Sequence, residues 1–75
     1  MIMLDRESPV DLHEQLANLL REQVRTGELT GRIPSIKHLA QQYEVSTRTV
    51  ERSLNTLKDE GIIVARVGRG FFVAR

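Results

Sequence analysis

A chain of 75 residues can build one hydrophobic core and is too short to divide between two. Hydrophobic residues at 40% and charged residues at 28% exclude a disordered tail, and the lack of cysteine excludes a disulfide framework or a thiolate metal site, so packing must supply the stability. No apolar run approaches the roughly 18 residues of a membrane span, and the stretch from Met1 to Leu4 is too short for a secretory signal, so a cytoplasmic location is expected.

The net charge of +1 conceals an asymmetry. Residues 1–31 hold three basic side chains against six acidic ones, whereas residues 32–75 hold eight basic against four acidic. A polyanion should therefore meet the second part of the chain.

Ser8-Pro9-Val10-Asp11 predicts a helix start, with serine as N-cap and proline at the first helical position. Leu12, Leu16, Leu19, Leu20 and Val24 then fall on one stripe, and Gly27 supplies the stop, giving a first helix over residues 9–26. Thr30, Gly31 and Pro34 mark a turn, in which Arg32-Ile33 is expected to add one or two residues of strand. Ser35 caps a second helix over residues 35–43, with Ile36, Leu39, Ala40 and Tyr43 on one face. Only Glu44 and Val45 separate it from a third helix, capped by Ser46 and running over residues 46–60 with Val50, Leu54 and Leu57 inward. Gly61 ends that helix, and the pattern changes to two β-branched and aromatic runs around Val67-Gly68-Arg69-Gly70, which predicts a hairpin over residues 62–74.

Helix, short strand, helix, tight turn, helix and hairpin make a mainly α fold with a small antiparallel sheet, in the order of a winged helix-turn-helix. A helix that enters the major groove needs short polar side chains and cations at its N-terminal end, where backbone amides and the helix dipole favour phosphates. The third helix offers Ser46, Thr47, Arg48 and Thr49 in its first turn and Arg52 one turn on. Hydroxyls and amides there suit phosphates, and Arg48 or Arg52 suits guanine. Arg66, Arg69 and Arg75 bracket a hairpin whose tip carries Gly68 and Gly70, an arrangement able to lie along a minor groove or a phosphate strand. Read singly, each feature is equally consistent with a capped helix start and with solubilising charges. Their order in one short chain favours duplex DNA.

These residues also resemble a family. Thr26-Gly27-Glu28-Leu29, Arg32-Ile33-Pro34-Ser35, Leu39-Ala40, Val45-Ser46-Thr47-Arg48-Thr49-Val50, Glu60-Gly61-Ile62-Ile63 and Gly68-Arg69-Gly70-Phe71-Phe72-Val73 look like the N-terminal domain of GntR-type bacterial regulators, over nearly the whole chain. The resemblance implies sequence-specific DNA binding by a transcription regulator, a repressor more often than an activator. It implies contacts from Arg32, Ser35 and Lys37, from Ser46, Thr47, Arg48 and Thr49, around Glu51 and Arg52, and from Gly68 and Arg69. It also implies an inverted-repeat operator met by two copies. A chain of 75 residues offers only small surfaces for dimerisation, of which the apolar segment Met1 to Leu4 is the candidate, and pairing only on DNA is the alternative. Regulators of this kind usually carry a C-terminal effector-sensing domain. The sequence stops at Arg75 without one, so either an excised DNA-binding domain or a miniature regulator is expected, with no effector site and no cofactor.

The sequence departs from the family pattern in several places. The loop between Leu29 and Arg32 is about two residues short, Ile36 replaces a common glutamate, and Glu44 stands where a small residue or glycine is usual. The early arginine of the third helix stands one place late, at Arg48, and Glu51 occupies a second arginine position with Arg52 beside it. Because neighbouring helix positions differ in direction by about 100°, base preference does not transfer. Glu51 is read as pairing with a nearby arginine in preference to accepting from a cytosine amino group. His13 is read as a solvated residue, His38 as lying beside the DNA face, and neither is expected to have metal-ligand company. Tyr43, Phe71 and Phe72 are read as core filling rather than as stacking platforms for single strands. Without a catalytic constellation an enzyme is not expected. The competing reading is a winged helix used as a protein-interaction module.

Overall fold

The structure is a computed structural model, and it describes residues 4–74. Leucines three and four apart give the first helix, α1 (Leu12–Thr26), an apolar stripe on which Leu16, Ala17 and Leu20 are buried. Its end follows the glycine rule: Gly27 takes φ 84° and donates its N–H to the Val24 carbonyl at 3.2 Å. Its start does not follow the serine signal. Asp11 is the N-cap, three residues beyond Ser8, because the Ser8 hydroxyl accepts locally from the Val10 N–H at 3.1 Å and closes a turn instead. Gln15 holds that turn against the helix: its Nε2 donates to the carbonyls of Asp5 (2.8 Å) and Val10 (2.7 Å), and its Oε1 accepts from the Asp5 N–H at 2.7 Å.

The second helix, α2 (Ile36–Tyr43), and the third, α3 (Thr47–Asp59), each begin on a serine whose hydroxyl accepts an amide of the first turn, His38 N–H for Ser35 and Thr49 N–H for Ser46. This satisfies one of the donors that every helix start leaves open. α3 is the centre of the fold, packing on α1, on α2 and on the first strand. Val50, Leu54 and Leu57 face the core with Leu16, Leu20, Leu39, Ile33 and Ile63. Ser53 is wholly buried among them, and its hydroxyl proton is shared between the carbonyls of His13 on α1 (2.7 Å) and Thr49 (3.0 Å). Sequence reading had given that face only its apolar members.

The strands β1 (Ile63–Arg66) and β2 (Gly70–Val73) pair antiparallel, with Ile63 opposite Val73 and Arg66 opposite Gly70. The expected extra strand is a single bridge, Arg32 to Phe72, flanked by Ile33 N–H to the Phe71 carbonyl and Val73 N–H to the Gly31 carbonyl, both at 2.8 Å. It ties the linker before α2 to the free edge of the hairpin. Phe71 and Val73 pack on the core, and Tyr43 does the same from α2. Phe72 does not. Strand alternation turns it to the other face, where the Arg66 guanidinium lies 5.8 Å from its ring centroid. These elements make a winged helix-turn-helix. Leu4 is partly buried against the core, while Met1 to Met3, the rest of the segment expected to pair, and Arg75 lie outside the described residues.

Candidate nucleic-acid interface

α2 and α3 meet through a turn of two residues. Glu44 adopts φ 55° and ψ 47°, the left-handed conformation, and is the sole non-glycine with positive φ among the described residues. A glycine would take this conformation freely, whereas Glu44 carries a Cβ into it. Arg6, from the segment before α1, donates to the Glu44 carbonyl and braces the turn. The turn sets the N-terminus of α3 outward.

At that end Ser46 is fully engaged, accepting from the Thr49 N–H and donating to Thr49 Oγ1, both at 3.1 Å. Its hydroxyl is spent on the cap, which leaves the amides of Thr47 and Arg48 as the open donors of the first turn. Thr47, Arg48, Glu51 and Arg52 are exposed. Asn55 is exposed as well, and spacings of three and four residues put it on the face of Glu51 and Arg52. That spacing is readable in the sequence, where the cations end at Arg52 and Asn55 continues the same face. An asparagine there has the donor and acceptor that match adenine. Glu51 is in no ion pair among the described residues, so the pairing expected for it does not form.

On α2, Ser35 keeps its proton for a further partner, and Lys37 and His38 are exposed beside it. In the hairpin the turn closes through Arg69 N–H to the Arg66 carbonyl at 3.0 Å, with Gly68 at φ 75° supplying the left-handed residue. All residues from Ala65 to Gly70 are exposed. Arg32 belongs to this group through the β-bridge: a Cβ at Gly70 would sit 3.9 Å from its Nε, so the arginine lies alongside the root of the wing tip. The fold thus brings Arg32 to Arg66 and Arg69, and sets Lys37 and His38 on the helix that precedes Arg48 and Arg52. No hydrogen bond or ion pair links the wing-tip arginines to those of α3 among the described residues.

The cations of α1 differ from those of α2, α3 and the wing. On α1, Arg21 is held bidentately by Glu60 (2.9 and 2.8 Å) and by Asn18 (2.6 Å), while Arg25 bonds Glu22. The Arg25 guanidinium, hydrogen-bonded to it, lowers the Glu22 carboxyl below its usual range, and Glu22 in turn raises Arg25. Arg32, Lys37, Arg48, Arg52, Lys58, Arg66 and Arg69 enter no ion pair among the described residues. Unneutralised cations on α2, α3 and the wing are what a polyphosphate surface would meet.

His13 is not the solvated residue expected: its side chain is 15% exposed, 3.9 Å from Asp11, in a groove between α1 and α3. Asp11, His13 and Glu14 bring ligand-type atoms within 4.8 Å of one another, company that sequence reading did not foresee. Asp11 and Glu14 are exposed while His13 is largely buried, and exposed acidic groups are common at a helix start without a bound ion. No helix among the described residues is long and apolar enough to cross a membrane.

Comparison with known proteins agrees with this geometry. The family model described as bacterial regulatory proteins, gntR family, matches residues 12–73. The HTH-type transcriptional repressor NagR of Bacillus subtilis is 32% identical over 74 residues, which cover 96% of this chain and 30% of that protein. YtrA of Sulfolobus acidocaldarius, a GntR-family transcription factor, superposes with a TM-score of 0.90 at 36% identity, covering 99% of this chain and 80% of that one. The AraR DNA-binding domain, solved in complex with operator ORE1, gives a TM-score of 0.84 at 26% identity over 95% of this chain and 89% of that one. The chain spans no more than 31% of the curated relatives it matches. With its fold, its unpaired cations and a family match over most of its length, the chain belongs to the GntR family of bacterial regulatory proteins.

Proposed function

We propose that this chain binds double-stranded DNA sequence-specifically and regulates transcription, as a repressor, with α3 in the major groove and the hairpin wing on the adjacent groove or backbone. The observation that carries the reading is the set of unpaired cations on α2, α3 and the wing, against arginines on α1 that acidic neighbours occupy. Arg48 and Arg52 reach base edges. Ser35, Lys37, Thr47 and Thr49, with the open amides at the start of α3, hold phosphates, and Arg32, Gly68 and Arg69 form the wing contact. Ser46 acts by capping α3, so its hydroxyl is not counted among the phosphate contacts. Support comes also from relatives that are named transcription regulators and from AraR, whose domain was solved with its operator.

Residues 1–75 act in this reading as one DNA-binding unit in the cytoplasm, where bacterial operators lie. Two copies on an inverted repeat follow from the family's two-fold arrangement, with pairing on DNA. No catalytic step is assigned to the chain, in line with relatives that are regulators and not enzymes.

Titration of labelled duplex DNA at several salt concentrations tests the proposal. If about five phosphates are neutralised per copy, log affinity should fall with log salt at a slope of roughly −4 to −5. A slope near zero, or no binding at low salt, would return the wing and α3 to the protein-interaction reading.

A further inference from the structure

Val67 is the most exposed large apolar side chain of the described residues, at 104% of its reference area, and it sits at the apex of the wing. Single exposed apolar residues are common, so exposure alone carries nothing. Its placement does. Val67 is the second residue of the turn closed from Arg69 to Arg66, a site open to polar residues and favoured by proline, and it touches no part of the core. Directly after it Gly68, with open space around its Cα, removes any side chain that would hold a surface away. On either side stand cations: Arg66 aligned along Phe72, Arg69 on the turn, and Arg32 beside Gly70. The wing therefore presents one apolar side chain at its point and guanidinium groups on its flanks.

We propose that Val67 is a specificity-determining residue, which enters the minor groove beside the recognition site and selects A·T over G·C there. The inference rests on the DNA-binding reading above and adds to it what the wing reads. The minor-groove floor of an A·T pair presents acceptors and no protruding group, whereas a G·C pair adds the guanine 2-amino donor. An isopropyl group pressed against that floor cannot accept a hydrogen bond from the amino group and leaves it desolvated, with its bulk in the way. Arg69 and Arg66 hold the phosphate walls on each side whatever the sequence between them. The wing thus needs both parts: the arginines to hold the walls and Val67 to test the floor.

Inosine separates this reading from any major-groove preference, because an I·C pair keeps the major-groove face of G·C and lacks the 2-amino group. A duplex is first recovered by selection from a random library. Each base pair flanking its major-groove element is then set to A·T, I·C or G·C, and binding is measured for the wild type and for V67A. At one or two adjacent pairs the wild type should bind A·T and I·C alike and G·C about fivefold to tenfold more weakly, the low end of the usual cost of a wrong pair. V67A should bind the A·T duplex a few-fold more weakly and show a G·C penalty below about twofold, with unchanged thermal stability because the side chain is fully exposed. Two results would overturn the proposal while leaving the DNA-binding reading intact: I·C behaving like G·C at every flanking pair, or V67A keeping the full wild-type penalty. Failure to recover or bind any duplex would remove both.

Discussion

The turn between α2 and α3 gives the sharpest test of the structure, since Glu44 occupies the left-handed region with φ 55°. Comparing E44A with E44G isolates the backbone, because both remove the carboxylate and they differ only in the Cβ. A Cβ in that conformation costs about 1–2 kcal/mol. Glycine gives back roughly 0.4–1 kcal/mol through the greater freedom of its unfolded chain. The two together predict that E44G is more stable than E44A by about 1 kcal/mol, which for a domain of this size is about 4–8 °C in melting temperature. The Arg6 bond is made to the Glu44 carbonyl and survives both substitutions. Thermal unfolding followed by circular dichroism, checked by urea titration, supplies the comparison. Equal stability, or E44A the more stable, would mean that residue 44 is not left-handed and that the start of α3 is presented differently.

Other predictions follow from the core and the charged surface. S53A should cost about 1 kcal/mol, since the carbonyls of His13 and Thr49 keep their places in α1 and α3 and only the shared hydroxyl hydrogen bond is lost, while L54A should cost roughly 2–5 kcal/mol as a buried leucine. Urea unfolding checks both, and an L54A protein as stable as wild type would contradict the inward face of α3. A double-mutant cycle on Arg21 and Glu60 should return a coupling of only about 0.5 kcal/mol despite the bidentate geometry, because both side chains are more than a third exposed, and the coupling should shrink in 1 M salt. R48A should relax preference at one base pair by about 1–3 kcal/mol, whereas R69A should lower affinity evenly across sequences. Competition titrations with single-pair operator variants distinguish these outcomes, and unchanged binding in both mutants would remove the proposed interface.

The parts of this fold legible in the sequence are those fixed by local chemistry. Gly27 after the leucine stripe, Ser35 and Ser46 before their apolar periods, and Gly68 in the hairpin turn each state a backbone requirement within a few residues. The start of α1 was misplaced because Ser8 and Pro9 serve a turn as well as a helix, and Gln15, reaching back to Asp5, decides between them. Two signals were present and passed over. Ser53 shares the face of Val50, Leu54 and Leu57, which marks it as buried, and Phe72 alternates with Phe71 and Val73, which turns it outward to Arg66. The company of Arg32 and the loneliness of Glu51 depend on which segments meet in space, and no spacing encodes them. At the candidate interface residue types were readable, but the engagement of Ser46 in its own cap needed coordinates.

Selection of bound sequences from a random duplex library at near-physiological salt, followed by titration of the winner against unrelated competitor DNA, tests the central claim most directly. The account predicts enrichment of an inverted repeat with a clear specificity ratio. A library that emerges unenriched, with no binding even at low salt, would contradict it.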